Sequence, residues 1–406
     1  MRQWILGGLF LLIVASAAAQ DVRRYPSDTS VPCLLWGDCR EWMRLMPADP
    51  TPYLVPRSVG VNVLAIDMSV GPLPWWGVLP GSPNWVTADY IYSRYDITAL
   101  GLMLAAHPFI NYTENIRKLF RSPSIDILVI RPEHWGSRDY VCDGDGGEYL
   151  AGVLWENYPV EIYGEMYHYY YHQNKDIFIT NTEADWQAYG VSCRDRQHCI
   201  KADGAYDLYY DACEAGTLVP YDTDAETCEE TACDMVKMDR AEYLLGLFDE
   251  RQTAAMEARA AHPASPLNVW HTIEVNFFNT QDWQFFTILG WIIPRMTNPP
   301  DFISFSLYGG AGDPVEALHY AMEMTGLPVE RFFISEVGKR EQQPGDQYDR
   351  IVSYVDALFA EGVAFALVWD LEIAPAYNTG YSVVNRETGE WYSGMTAIKE
   401  LNDVYR

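Results

Sequence analysis

Positive charge is scarce in this chain. Against 56 Asp and Glu there are 28 Lys and Arg, giving a formal net charge of −28 over 406 residues. A surface of that sign repels polyanions, which makes nucleic acids and anionic membrane surfaces poor partners. Histidine is scarce as well: the eight are scattered, and no CxxC pair accompanies them. This argues against a zinc site and against phosphodiester chemistry built on histidines or a metal cluster, so no metal or cofactor is expected. No Gly-rich phosphate loop follows the first strand candidate, which disfavours a doubly wound nucleotide-binding sheet. Beyond the opening residues no apolar run is long enough to span a membrane.

Apolar residues are abundant, at 49%, so the chain can bury a sizeable core and wholesale disorder is excluded. Aromatics reach 14%, with 28 Tyr and 14 Trp. Most belong to packing, but flat rings with polar tips also suit a groove that binds sugars. The first residues, MRQWILGGLFLLIVASAAAQ, read as an export signal over 1–19. Arg2 is the positive end, Ile5–Ala15 the apolar stretch and Ala17–Ala19 the cleavage site. No Cys stands at that point for a lipid anchor, and a secreted or periplasmic monomer is expected. Eight cysteines fit such a compartment as disulfides: Cys33, Cys39, Cys142, Cys193, Cys199, Cys213, Cys228 and Cys233. Spacing suggests Cys33 with Cys39 and leaves the other pairings open.

After a Pro-rich segment over 20–60, apolar strands alternate with helical stretches. Val61–Asp67, Asp126–Arg131, a run from Asp176, Asn268–Asn276, Asp301–Tyr308, Arg331–Glu336 and Val363–Asp370 read as strands. Gly71–Asn84 is too rich in Pro, Gly and Trp for a regular element and reads as a mouth loop. Asp96–Thr98 reads as the cap of a helical region through LGLMLAAHP and NIRKLF. Further helices are expected over Tyr158–His172, Asp239–Ala261, Trp283–Met296, Pro314–Thr325 and Gln347–Glu361. The fold class is therefore α/β, a (β/α)8 TIM barrel over 61–406, with one strand hidden before Tyr158. A cysteine-rich insertion over 187–237 follows the fourth strand and is expected as a disulfide-stapled lid.

Two of these strands end in carboxylates. DIFITNTEADW (176–186) would place Ile177, Ile179, Asn181 and Glu183 in one row, and RFFISEVG (331–338) would align Phe332, Ile334 and Glu336. Carboxylates at the carboxyl ends of two barrel strands sit in the mouth, an arrangement that suits glycoside hydrolysis. The competing reading for each is a buried ion pair, for instance with Arg131 or Arg331. Glu274 shares a row with Trp270, Thr272 and Asn276 and is a third carboxylate, substrate-binding or buried in the wall. His271 has the opposite parity and reads as outward packing. Trp369 faces inward if Phe365 and Leu367 do.

NTEADW (181–186), VWHTIEVN (269–276), PDFISFSLY (300–308), FFISEVG (332–338) and LVWD (367–370) occur in barrel order. Together they resemble the clan of retaining glycoside hydrolases with (β/α)8 barrels, over most of residues 61–400. The resemblance implies that Glu183 is the acid/base and Glu336 the nucleophile. It implies that Tyr308 bonds the nucleophile and that Trp369 floors the sugar site. Asn181, Glu274, Asn276 and Arg131 complete the candidate substrate-binding set. The chain departs from the clan in having Thr182 between Asn181 and Glu183, where the clan has Asn directly before the acid/base. A non-catalytic carbohydrate-binding barrel is the alternative that this departure supports.

Overall fold

The computed structural model describes residues 57–64, 92, 95–103, 124–131, 160–181, 205–218, 227–277, 289–308, 312–371, 380–385 and 390–406. The expected export signal, the 20–60 segment, the Gly71–Asn84 loop, Glu183 and five of the cysteines (Cys33, Cys39, Cys142, Cys193 and Cys199) lie outside them.

Eight parallel strands close into a barrel in sequence order. They are β1 (Val59–Leu64), β2 (Ala99–Met103), β3 (Ile127–Arg131), β4 (Lys175–Asn181), β5 (Leu267–Phe277), β6 (Phe302–Leu307), β7 (Phe332–Val337) and β8 (Ala366–Val368). The described helices are α1 (Glu161–Tyr170), α2 (Ala205–Glu214), α3 (Cys228–Ala261), α4 (Pro314–Thr325), α5 (Asp346–Glu361) and α6 (Ser393–Tyr405). β6 and β7 are buried along their whole length, as strands of a helix-wrapped parallel sheet must be.

The hidden strand is β2, and it overturns the helical reading over Leu100–Met103; the rest of LGLMLAAHP and NIRKLF lie outside the described residues. Leu, Met and Ala favour helices, but a five-residue apolar run has no period long enough to decide, and pairing on both sides decides it here. Asp96 does not cap a helix; it has a positive φ of 56° in the turn before the strand. Gly101 is required in β2, since a Cβ there would lie 1.9 Å from Asn62 Oδ1.

Alternation sorts the side chains into two cores. Phe178, Trp270, Phe302, Phe333, Phe365 and Leu367 fill the barrel interior, with Ala99, Ile127, Val129 and Ala364. Ile177, Ile179, Val269, Ile273, Val275, Phe332, Ile334, Ala366 and Val368 belong to the larger core under the helices. The interior is an aromatic plug: Phe178 meets Phe302, Phe333 and Phe365 with centroids 5.0, 5.3 and 5.0 Å apart. Such pairs add about 0.5–1.5 kcal/mol each beyond burial. Beneath it, Arg259 of α3 grips both oxygens of Asp301 at 2.6 Å, and Arg331 donates to the Asp301 carbonyl.

The expected helix from Asp239 begins instead at Cys228, so the end of the expected insertion, 228–237, is the first part of α3. Thr227 and Glu230 form a reciprocal capping box there, a stronger start signal than Asp239. Cys213, at the end of α2, is bonded to Cys228. Closing a loop of 15 residues in this way stabilises by about 3 kcal/mol in the chain-entropy account. Cys233 is disulfide-bonded as well. At the seam of the barrel, Asn402 of α6 bonds both backbone groups of Val59, accepting from its N–H at 2.8 Å and donating to its carbonyl at 2.9 Å.

Candidate active site

Glu336 stands near the end of β7, 6% exposed, and accepts a hydrogen bond from the Tyr308 hydroxyl. Tyr308 follows β6 directly, so the barrel's strand order brings the two side by side. Tyr308 packs edge-on against Tyr381, centroids 5.6 Å apart, and both pack against Trp369, which follows β8. Gly338 lets them converge: a Cβ on it would lie 2.9 Å from the Trp369 carbonyl and 3.2–3.3 Å from the two tyrosine rings. A carboxylate, a phenol and an indole thus meet at the C-terminal end of the barrel, the end at which barrel enzymes carry their chemistry. Arg340 lies over the Tyr381 ring at 5.5 Å, on the rim.

The ion pair considered for Glu336 is not formed with Arg331. That residue precedes β7, at the other end of the strand, where it bonds the Asp301 carbonyl and lies over Phe302 at 5.6 Å. Glu336 and Arg331 therefore stand at opposite ends of the strand, about 13 Å apart along it.

The rows expected for the two carboxylates need correction. Phe332 and Ile334 face the helices, not the interior, and so do Ile177 and Ile179. The interior residues are Phe333 on β7 and Phe178 on β4. Both faces of a barrel strand are apolar, so hydrophobic pattern alone does not say which face is which. Glu336 reaches the mouth because β7 has a bulge: Phe305 pairs with Ile334, but the next pair is Ser306 with Glu336. One extra residue exchanges the faces beyond it.

Glu274 is where its row predicted, on the interior side of β5 with Trp270, but it is 1% exposed. Its Oε1 accepts from Ser335 Oγ at 2.9 Å and Ser306 Oγ at 3.1 Å. Asn62 of β1 reaches across to donate to the Ser335 carbonyl at 2.8 Å. Ser306, Ser335, Asn62 and Tyr381 were not among the expected site residues. Ser335 could have been noticed as the residue directly before the carboxylate; the others gain meaning only from contacts across strands. Asn181 and Arg131 end β4 and β3, and Asn276 pairs with Ser306, so all three backbones stand at the mouth end.

His271 packs outward as expected. It is buried against Phe248, with Nδ1 beside Gln252 Oε1 and its backbone N–H donating to Asp301 Oδ2. Burial first, and then the Arg251 and Arg259 charges, hold its pKa well below 6.5. The folded chain therefore keeps this imidazole neutral at pH values where the unfolded chain takes up a proton. The contribution of this group is full above about pH 6.5 and falls below it by up to about 1.4 kcal/mol per pH unit. Denaturant titrations at pH 7.5, 6.5 and 5.5 should show this slope. His271→Gln should reduce it, and an unchanged slope in the variant would assign the acid sensitivity elsewhere.

Among the described residues no cluster of His, Cys, Asp and Glu could hold a metal ion, and no helix is long and apolar enough to cross a membrane. No family model matches the chain, and no curated protein matches it. Several solved structures are similar in fold. An endo-β-1,4-mannanase from Thermotoga petrophila is 12% identical with a TM-score of 0.48, covering 88% of this chain and 78% of its own. A β-glucosidase from Thermotoga maritima is 12% identical with a TM-score of 0.46, covering 85% and 97%. A broad-specificity endoglucanase from Clostridium acetobutylicum is 9% identical with a TM-score of 0.46, covering 84% and 96%. At these values the likeness carries nothing about activity, which has to be argued from the site.

Proposed function

We propose that the chain is an exported glycoside hydrolase that cleaves an O-glycosidic bond of an oligo- or polysaccharide with retention at the anomeric carbon. The observation that supports this most directly is the Glu336 carboxylate, held by the Tyr308 hydroxyl beside Trp369 at the mouth of a closed barrel. In this reading Glu336 attacks the anomeric carbon and forms a glycosyl ester as the leaving oxygen departs. The Tyr308 hydroxyl fixes the carboxylate rotamer, and the Trp369 face carries the C–H side of the sugar ring. Glu183 protonates the leaving oxygen and then takes a proton from the water that opens the ester. The strongly negative chain suits a neutral glycan better than an acidic one.

The phase of β4 favours a second reading. If alternation continues past Asn181, Glu183 faces the helices, and the protein is a carbohydrate-binding barrel without turnover. Proton NMR of a reaction with a panel of oligosaccharides and aryl glycosides separates the two. The first-formed hemiacetal should have the configuration of the bond cleaved. An inverted first product would overturn the double displacement, and sugar binding without any product would favour the second reading.

A further inference from the structure

The bulge that turns Glu336 into the mouth is visible from both sides of β7. Against β6, the pair Phe305–Ile334 is followed by Ser306–Glu336; against β8, Ile334–Ala366 is followed by Val337–Val368. Ile334 and Val337 both pack under the helices, so Ser335 and Glu336 together occupy the step that a regular strand gives to one residue. Without the extra residue Glu336 would point at the helices.

The side chains that hold this step come from three other strands. The Ser335 and Ser306 hydroxyls both donate to Glu274 Oε1, at 2.9 and 3.1 Å, and lie 3.4 Å from each other. The Asn62 amide donates to the Ser335 carbonyl at 2.8 Å. All four side chains are buried in the interior, between the aromatic plug and the mouth. A single carboxylate oxygen thus ties together the bulged residue and the residue on β6 that pairs with Glu336. In a dry interior such hydrogen bonds are stronger than in water.

We propose that Glu274, acting through Ser335 and Ser306 with Asn62 as the backbone support, is a positioning residue that fixes the β7 bulge and thereby aims Glu336 at the substrate. It does so without touching the sugar. The inference rests on the assignment of Glu336 as nucleophile. A displacement of about 1 Å at a reacting group costs on the order of a hundredfold in rate.

Kinetics of E274M, E274Q and S335A on one aryl glycoside test this. E274M keeps the volume but removes the acceptor, and kcat should fall on the order of a hundredfold with KM changed less than about twofold. E274Q keeps an acceptor oxygen in place and should lose less than about tenfold in kcat. S335A, which removes one tie, should fall between them and also leave KM in place. A rise in KM with kcat intact would make Glu274 a substrate contact and overturn the proposal. So would E274Q losing as much as E274M, because the charge rather than the tie would then matter. If E274M does not fold, E274Q and S335A carry the same comparison. If the wild-type protein hydrolyses no glycoside, the assignment of Glu336 fails separately, and a crystal structure of S335A or E274M decides the positioning alone. There the Tyr308–Glu336 hydrogen bond should be broken and Glu336 displaced; an unmoved pair would overturn the inference.

Discussion

Glu336→Gln should reduce turnover of every glycoside by at least about a thousandfold, ~4 kcal/mol of barrier at ~1.4 kcal/mol per factor of ten. The amide keeps the size of the carboxyl and its acceptor oxygen, so the Tyr308 hydroxyl retains a partner and Tyr308, Tyr381 and Trp369 stay packed. Melting should therefore shift little. What is lost, on the proposed mechanism, is the nucleophile, so no glycosyl-enzyme should form with any leaving group, activated or not. Mass spectrometry after a 2-fluoro glycoside should show the adduct on the wild type and none on the variant. Turnover within tenfold of wild type would leave Glu336 a wall residue and make Glu274 the next carboxylate to test.

Glu183→Ala should fail in a different way. Removing a proton donor leaves the attack by Glu336 intact when the leaving group needs no proton. Formation of the intermediate from a dinitrophenyl glycoside should stay within about tenfold of wild type, while loss on an unactivated oligosaccharide should reach 10²–10⁴-fold. The intermediate should then accumulate, because the base that activates water is missing too, and azide should release it as a glycosyl azide. Equal losses on both substrates without azide release would reject Glu183. They would also agree with the phase of β4, in which Ile177 and Ile179 face the helices.

Some of the fold can be read directly from side-chain chemistry. Helix α4 spans the residues expected, because Asp313 caps it, Pro314 opens it and Gly326 ends it in the left-handed region. Strand β2 could not be read so, since its five residues suit a helix equally well and only its neighbours make it a strand. The outward face of His271 and the inward face of Trp369 were legible by parity. The rows of Ile177 and Ile334 were not, because Ile and Phe are equally at home in the interior and under the helices. Glu336 reached its place for a reason that parity cannot supply, an extra residue in β7. The polar group beneath it was hidden for the same reason: Asn62, Glu274, Ser306 and Ser335 are spread over four strands and meet only when the barrel closes.

The hold of Asn402 on Val59 has a consequence for how the chain is made. The two residues lie 343 positions apart, so the backbone of the first strand waits through the synthesis of all the barrel strands for this partner. Pairing of β1 with β8 is equally late. During translation the nascent sheet carries two open edges, the condition in which parallel strands join the wrong neighbour. Ribosomes that stop short of α6 would release chains able to pair most strands yet unable to seal the seam. Such products should aggregate or be degraded, so even a short C-terminal deletion should be costlier to yield than its distance from Glu336 suggests.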